Sequence, residues 1–275
     1  AVINTATNTI ETTIALEEGV ERIITVGDKL YVAHQGGYGF GNKVSVINPA
    51  TNTLETTITV GDVPNSIVAK DGFLYVLSGG IPSWSTDPAE TAGKLHKINL
   101  ADNTVAETID FPANSHPGNL EIAGEDMYYT MGDNIYKKAV PGTALPEEEL
   151  FSITPQDVYG IYGFDIVDGK LYVADAVDYV SDGDVFVYEL DGVFGQKYDV
   201  GKLPNGIYQS AGPVAGNDDH DMLAVSVYPN PVADVLFVST DREAAVRLFD
   251  VTGRTVANQD YTASGINVSA LPAGT

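Results

Sequence analysis

The chain of 275 residues contains 14 Lys and Arg against 38 Asp and Glu, which gives a formal net charge of −24. This charge argues against nucleic acid and anionic membranes as partners, because both repel an acidic surface. Cysteine is absent, so disulfides, thiolate metal sites and thiol nucleophiles are excluded as well. No apolar run approaches the roughly 18 residues of a membrane-spanning helix.

The first elements in chain order belong to a repeat. One phrase, an Ile-Asn pair followed by an Asn-Thr turn, occurs as VINTATNTIETTI at 2–14, VINPATNTLETTI at 46–58 and KINLADNTVAETI at 97–109. A second phrase of Leu-Tyr-Val type follows a Gly/Asp turn and is anchored at Leu30, Leu74, Met127 and Leu171. The period of roughly 40 to 50 residues is typical of a β-propeller blade.

Between these landmarks, apolar and polar residues alternate in short runs rich in Val, Ile, Thr and Tyr, which predicts strands and no amphipathic helix. Each unit is predicted to form four antiparallel strands. In the second unit they are SIVAK, FLYVLS, KLHKIN and TVAETI. The predicted fold class is all-β, a partial β-propeller with about four to five blades over residues 1–209, followed by a small Ig-like β-sandwich.

The stretch VSVINPATNTLETTITVGDVPNSIVAKDGFLYV, residues 44–76, resembles the YVTN-type β-propeller repeat. The resemblance covers residues 1 to about 209 and implies a fold without specifying an activity. Propellers of this kind usually have about seven blades. We therefore expect further blades, and any signal peptide, upstream of Ala1.

The connecting segments differ between the two ends of the predicted blades. On one end they are short and nearly identical, as plain turns are. On the other end they are long, vary in length and carry aromatic residues. They comprise 34–43, 78–94, 112–119, 154–163 and 175–184. Because rigid scaffolds carry binding residues on such loops, this end is the predicted ligand-binding face.

The inner strands begin at 19–22, 63–66, 116–119, 161–164 and 203–206. We expect side chains from these starts and from the loops to line a shallow polar and aromatic site at the channel mouth. The predicted ligand-binding residues are Glu21, Arg22, Tyr38, Phe40, Asn65, Trp84, His116, Asn119, Tyr159, Tyr162 and Asn205.

Structural interpretations of the same residues remain open. The Pro-Asn sequences at blade links are also turn formers, and Trp84 could fill its own long loop. Arg22 could pair with Glu21 or with a neighbouring blade.

The sequence offers little catalytic chemistry. His34, His96, His116 and His220 are scattered, so no zinc site is predicted. Glu121 and Asp165 lie at the same level of two inner strands and could form an acid/base pair or a cation seat. The loop DYVSDGD at 178–184 could hold Ca²⁺, although a solvated turn is the simpler interpretation. We therefore expect no cofactor, with Ca²⁺ as the possible exception.

The composition changes after Gln209. Residues 210–222 are predicted to be a linker, and residues 223–275 a second domain of short strands. The segments 227–238, 246–256 and 266–275 resemble, in order, three motifs of the type IX secretion system C-terminal sorting domain. The resemblance implies export to the outside or the outer surface of a Gram-negative bacterium, with the secretion machinery as a partner. The final strand of that family lies beyond Thr275, so we expect the sorting domain to be truncated.

These expectations favour a secreted or surface-attached binding module without catalysis of its own. Its extracellular ligand would be a small molecule, a glycan or a protein. Some surface propellers of this general type capture cobalamin, which is one alternative. Others of similar shape are lactonases or quinone-dependent dehydrogenases, which is a second. A purely structural or adhesive surface protein is a third.

Overall fold

The computed structural model describes residues 1–209, 226–229, 231–239, 245–250, 253–260 and 265–271. The chain divides into two compact units, Ala1–Gln209 and Ser210–Thr275. The predicted linker at 210–222 lies outside the described residues. Within the described ranges, no helix has the length and apolar character needed to cross a membrane.

The first unit begins with a two-stranded hairpin and continues with antiparallel sheets, each built from four consecutive strands. The hairpin consists of β1 (Val2–Asn4) and β2 (Thr9–Thr12). The first blade consists of β3 (Val20–Val26), β4 (Lys29–His34), β5 (Lys43–Asn48) and β6 (Thr53–Thr59). The second consists of β7 (Pro64–Lys70), β8 (Phe73–Ser78), β9 (Lys94–Asn99) and β10 (Thr104–Asp110).

Two further blades follow the same order. The third consists of β11 (Gly118–Ala123), β12 (Asp126–Met131), β13 (Asn134–Ala139) and the short β14 (Phe151–Ser152). A 3₁₀ turn, Thr154–Gln156, leads to the fourth, which consists of β15 (Gly163–Val167), β16 (Lys170–Asp175), β17 (Asp184–Glu189) and β18 (Phe194–Asp199).

The first strands of successive blades lie next to each other: β3 contacts β7, β7 contacts β11, and β11 contacts β15. This is the inner wall of a β-propeller, so the predicted all-β fold with radial four-stranded blades is confirmed. The predicted fifth inner strand, at 203–206, does not form a strand in the described part of the chain. This segment packs closely against Gly163 and Gly183 of the fourth blade through Asn205 and Pro204.

The recurring Leu-Tyr pair explains how the blades pack. Adjacent residues of a strand point to opposite faces of the sheet, so each member of the pair enters a different core. Leu74 packs with Tyr31 in the core between the first and second blades, whereas Tyr75 packs with Met127 in the next core. Tyr128 and Leu171 meet in the third. In the second and third blades, one dipeptide thus supplies apolar area to both neighbouring interfaces.

The recurring Asn-Thr phrase forms the turn between the third and fourth strands. In the first blade, the Asn48 side-chain oxygen accepts hydrogen bonds from the amides of Ala50 and Thr51 at 3.0 and 3.3 Å. Asn52 then adopts a positive φ of 55°, which Asn tolerates better than most residues. The copy at the hairpin, with Asn4 and Asn8, repeats both features. The phrase therefore recurs because the turn needs it.

The second unit contains β19 (Ser226–Tyr228), β20 (Val235–Ser239), β21 (Ala245–Phe249), β22 (Thr255–Asp260) and β23 (Ile266–Asn267). The strands β19, β20 and β23 form one sheet, and β21 and β22 form another. Leu236, Ile266 and Val268 make the core, and Val246 and Leu248 from the other sheet pack against it. Two small sheets sharing one core agree with the predicted Ig-like sandwich.

Candidate functional site at the channel mouth

The long loops of the first unit meet one another. The ring of Phe40, from loop 34–43, lies 6.0 Å from that of Trp84 in loop 78–94. His116, from the link between the second and third blades, pairs with Glu90 of the same long loop at 2.9 Å. Loops and links that are distant in sequence therefore gather at one end of the blades.

The start of the inner strand is irregular in three blades. The pairing register shifts at Glu21 in β3, at Asn65 in β7, and between Gly118 and Glu121 in β11. A β-bulge of this kind places an extra residue on one strand and redirects its side chain. The bulges lie next to the channel mouth, where polar side chains from successive blades converge.

A cavity of about 200 Å³ lies among the inner strands. Its polar lining is supplied by Arg22, Ser66, Asn119, Glu121, Asp165, Asn205 and Tyr208. Glu121 lies opposite Tyr128 and Asp165 opposite Tyr172, and these two tyrosines are equivalent in the repeat. The predicted equivalence of the two carboxylates is therefore confirmed by the strand register.

The pKa values of both carboxyl groups are raised. Burial, with a smaller contribution from the nearby Asp165 and against the opposing charge of Arg22, raises the pKa of Glu121 to about 7. Burial also raises the pKa of Asp165, against the lowering effects of the Ile207 amide and Arg22. Near neutral pH, Glu121 is thus divided between its protonated and ionised forms.

Hydrogen bonds link the inner strands around this cavity. The Arg22 Nε donates to the carbonyl of Asn65 at 3.3 Å, and the Asn65 side chain donates to the carbonyl of Pro117 at 2.9 Å. The Ser66 hydroxyl donates to the Asn65 Oδ1 and accepts from the amide of Leu120. Of the open interpretations, Arg22 therefore contacts the neighbouring blade, and Asn65 has a structural role between blades.

A second depression, of about 340 Å³, lies beside the long loop 78–94 and includes Asn65, Gly80, Pro82 and His116 in its lining. The His116 Nδ1 lies 2.9 Å from the carbonyl of Gly79, and the Nε2 lies 2.9 Å from Glu90. Both ring nitrogens of His116 are therefore engaged, and they hold the link between the second and third blades against the long loop.

The predicted ligand-binding residues are distributed over two cavities, two aromatic contacts and exposed positions. Arg22, Asn119 and Asn205 line the channel cavity, and Asn65 and His116 line the second depression. Phe40 contacts Trp84, and Tyr162 contacts Tyr179 edge-on with ring centres 5.6 Å apart. Tyr38 and Tyr159 are exposed loop residues, and Glu21 is exposed and outside the linings of both cavities.

The ligand-binding site predicted from the sequence omits Ser66, Glu90 and Tyr208. It also omits Glu121 and Asp165, which the sequence predicts as a separate acid/base pair or cation seat. The signal for Glu121 was available, because the repeat makes it equivalent to Asp165 on the next inner strand. Glu90 and Tyr208 lie in segments without periodicity, where no pattern indicates which way a side chain points.

In the candidate calcium loop, the carboxylates of Asp178 and Asp184 are engaged by other groups of the protein. Asp178 accepts hydrogen bonds from the amides of Val180 and Ser181 and from the Ser181 hydroxyl, which lower its pKa to about 2. Asp184 pairs with Lys197 at 2.8 Å. In the described ranges, no three His, Asp or Glu side chains are grouped so that they could hold a metal ion.

Comparison with protein-family models gives two matches. Residues 1–211 match the model of a family described as a domain of unknown function, DUF5074. Residues 226–275 match the model described as a secretion system C-terminal sorting domain. No curated protein matches the chain.

Several solved structures are similar in fold. A functionally unknown protein from Desulfotomaculum acetoxidans DSM 771 has a TM-score of 0.50 and 9% identity, over 89% of this chain and 70% of that one. Hydrazine synthase from Kuenenia stuttgartiensis has a TM-score of 0.49 and 12% identity, over 94% and 68% of the two chains. BamB from Moraxella catarrhalis has a TM-score of 0.44 and 12% identity, over 70% of this chain. The chain spans only 52% of that BamB chain.

Proposed function

The chain belongs to the DUF5074 family, and on that premise we propose that it is an exported binding module that holds an extracellular ligand at its long-loop end, around the channel mouth. Its C-terminal sorting domain directs export by the type IX secretion system, so the protein acts outside the cell or at the surface of a Gram-negative bacterium. The secretion machinery is therefore one partner. The ligand is the part that we propose.

One observation carries this proposal: large aromatic rings are exposed on loops that meet around polar cavities. The exposed fractions of Tyr38, Trp84, Tyr159 and Tyr179 are 113%, 77%, 74% and 58%. Aromatic side chains contribute much of the binding energy at recognition surfaces, because they bury large apolar areas with little loss of conformational freedom. We call these four side chains the aromatic rim. Their concentration at one end supports a broad ligand that covers the channel mouth.

The test is ligand screening of the full chain by thermal shift, with corrinoids, soluble glycans and CaCl₂ as probes. A ligand that binds the native state raises the unfolding midpoint. We expect a corrinoid or a glycan to raise it, and the double variant Trp84→Ala/Tyr162→Ala to bind that probe at least tenfold more weakly. Corrinoids are the sharpest probe because a wide macrocycle suits a broad aromatic rim.

A matched control removes exposed apolar groups elsewhere. Val193 and Tyr198 are exposed at and beside the outermost strand of the fourth blade. We expect Val193→Ala/Tyr198→Ala to bind as the unsubstituted chain does. Equal affinity in the Trp84/Tyr162 variant and this control would refute a ligand at the long-loop end.

A second candidate function is acid/base catalysis in the channel, as in propeller hydrolases. The observation that favours it is the pKa of Glu121, about 7, which suits a group that exchanges protons near neutral pH. Lactone hydrolysis that disappears in Glu121→Gln would support this alternative. We propose binding without catalysis as the primary function, because the exposed rings account for more of the surface than one carboxyl pair does.

A further inference from the structure

We propose that the channel cavity is a subsite for a small zwitterion such as a free α-amino acid, with the ligand ammonium between Glu121 and Asp165 and the ligand carboxylate on Arg22. This inference rests on the proposed function, because it assigns a chemical class to a ligand bound at the channel mouth. It is argued from residues that line the channel cavity, whereas the proposed function is argued from the exposed aromatic residues of the long loops.

Two carboxylates form the negative side of the cavity. Glu121 and Asp165 project from adjacent inner strands into one cavity. Among the described residues, the Glu121 carboxylate has neither an ion pair nor a hydrogen bond, and Asp165 accepts one bond at 2.8 Å, from the Ile207 amide to Oδ2. Two half-buried carboxylates with open acceptor positions repel each other. A cation between them relieves this repulsion and satisfies their oxygens.

Arg22 supplies a positive charge to the same cavity. Its Nε is held by the carbonyl of Asn65, which fixes the guanidinium at the cavity wall. It forms no ion pair with either carboxylate in the described part of the chain, although its charge lowers the pKa of both. The terminal nitrogens of the guanidinium therefore remain available as donors, and a paired donor geometry of this kind matches a carboxylate.

One guanidinium and two carboxylates face the same space without closing on each other, so the cavity has a positive and a negative side. A ligand with only an ammonium leaves Arg22 unused, and a ligand with only a carboxylate meets two like charges. A zwitterion satisfies both sides at once.

The remaining lining agrees with this assignment. Asn119 donates its side-chain amide to Thr130 at 3.1 Å, which leaves its carbonyl oxygen as an acceptor for a third ammonium hydrogen. The strand β7 contributes Ser66 and Ile67, and the segment after β18 contributes Asn205 and Tyr208. The volume of about 200 Å³ is below the roughly 300–1,000 Å³ of sites for drug-sized ligands. The ligand group is therefore small.

Calorimetric titration of the full chain at pH 8 tests the proposal. The probes are L-alanine, ethylamine, propionate and CaCl₂. We expect L-alanine to bind, ethylamine to bind at least tenfold more weakly, and propionate to give no measurable binding. Glu121→Gln and Asp165→Asn, which preserve side-chain shape, should each weaken L-alanine binding at least tenfold. Glu147→Gln removes one exposed carboxylate outside the cavity and should leave the affinity unchanged.

Two further measurements separate binding from a structural effect. Arg22→Gln should make the affinities for L-alanine and ethylamine equal, because it removes the partner of the ligand carboxylate, whereas its effect on the pKa values of Glu121 and Asp165 is common to both probes. Affinity of the unsubstituted chain for L-alanine should rise about 30-fold from pH 5.5 to pH 8, as Glu121 ionises. That rise should be absent in Glu121→Gln, and a thermal melt of each variant shows whether it remains folded.

The outcomes distinguish this inference from the proposed function. Corrinoid or glycan binding without L-alanine binding overturns the subsite and leaves the function intact. L-alanine binding that survives Trp84→Ala/Tyr162→Ala, with no rim ligand found, supports the subsite and overturns the function as proposed. Stoichiometric Ca²⁺ binding that depends on Glu121 and excludes L-alanine assigns the carboxylates to a metal and overturns the zwitterion.

Discussion

At the scale of single residues, burial shifts the pKa values of His96 and Glu121 in opposite directions. His96 is buried, the amide of Gly61 donates to its Nε2 at 2.7 Å, and its Nδ1 lies 3.0 Å from the Thr108 hydroxyl. The Nε2 must therefore be unprotonated, and the ring is neutral. Burial, with Lys94 adding to its effect, lowers the pKa of His96 to about 4. Burial penalises the charged form of both groups. The charged form of Glu121 is the deprotonated one, so its pKa rises instead.

These shifts predict a pH dependence of stability. The unfolded chain binds a proton on His96 near pH 6.5 and the folded chain does not, so this group stabilises the fold above pH 6.5 and loses that contribution as the pH falls towards 4. Between pH 7 and pH 5 the loss is about 2 kcal/mol. In urea unfolding at pH 7 and pH 5, His96→Gln should abolish this part of the difference in unfolding free energy. Thr108→Val, which keeps the imidazole, should retain it. An equal difference in the two variants would contradict the assignment.

At the scale of strands, polar side chains join neighbouring inner strands that share no regular ladder. The hydroxyl of Ser66 on β7 accepts a hydrogen bond from the amide of Leu120 on β11. The Asn65 side chain donates one to the carbonyl of Pro117, just before β11. The carboxylate of Asp165 on β15 accepts one from the amide of Ile207. Such bonds satisfy backbone groups at the bulges, which would otherwise be left without partners near the channel.

The substitution Ser66→Ala tests this role. It removes the acceptor of the Leu120 amide in a buried position, and we expect the free energy of unfolding to fall by about 1–3 kcal/mol. Hydrogen exchange should report faster exchange at Leu120 and little change in the outer strands. Thr57→Ala, on the exposed face of β6, provides the comparison. Unchanged exchange at Leu120 would mean that another group takes over the bond.

At the scale of the whole molecule, the net charge of −24 opposes compaction and favours solubility outside the cell. Several lysines form ion pairs on the surface of the first unit: Lys29 with Glu55, Lys70 with Glu125 and Lys170 with Glu189. Exposed pairs of this kind stabilise little individually. Most of the negative charge is therefore balanced by solvent ions.

Ionic strength should consequently change the stability of the full chain. Raising NaCl from 10 to 500 mM should raise the unfolding temperature by roughly 3 °C, because salt screens repulsion over about a Debye length. The measurement is a thermal melt, and KCl should have the same effect because screening does not depend on the cation. CaCl₂ at equal ionic strength is the informative comparison, since a larger rise would indicate a specific calcium site. A fall with NaCl would contradict net repulsion.

The repeat determined much of the fold from the sequence alone. Alternating residues, the Asn48 and Asn52 turn and the Leu74–Tyr75 pair act through local backbone geometry, so their effect is written in short stretches of chain. The same logic placed Glu121 and Asp165 at one level, because equivalent positions in successive blades occupy equivalent heights.

Only the tertiary structure decided how those residues interact. Whether Arg22 pairs with Glu21 or with the next blade depends on distances across the channel, and the repeat holds no information about them. The pKa of Glu121 depends on burial by several blades, and the acceptor of the Ile207 amide lies on a strand distant in sequence. Local patterns fix where a strand lies and which way it faces, whereas charge interactions depend on spacing between strands, which packing sets.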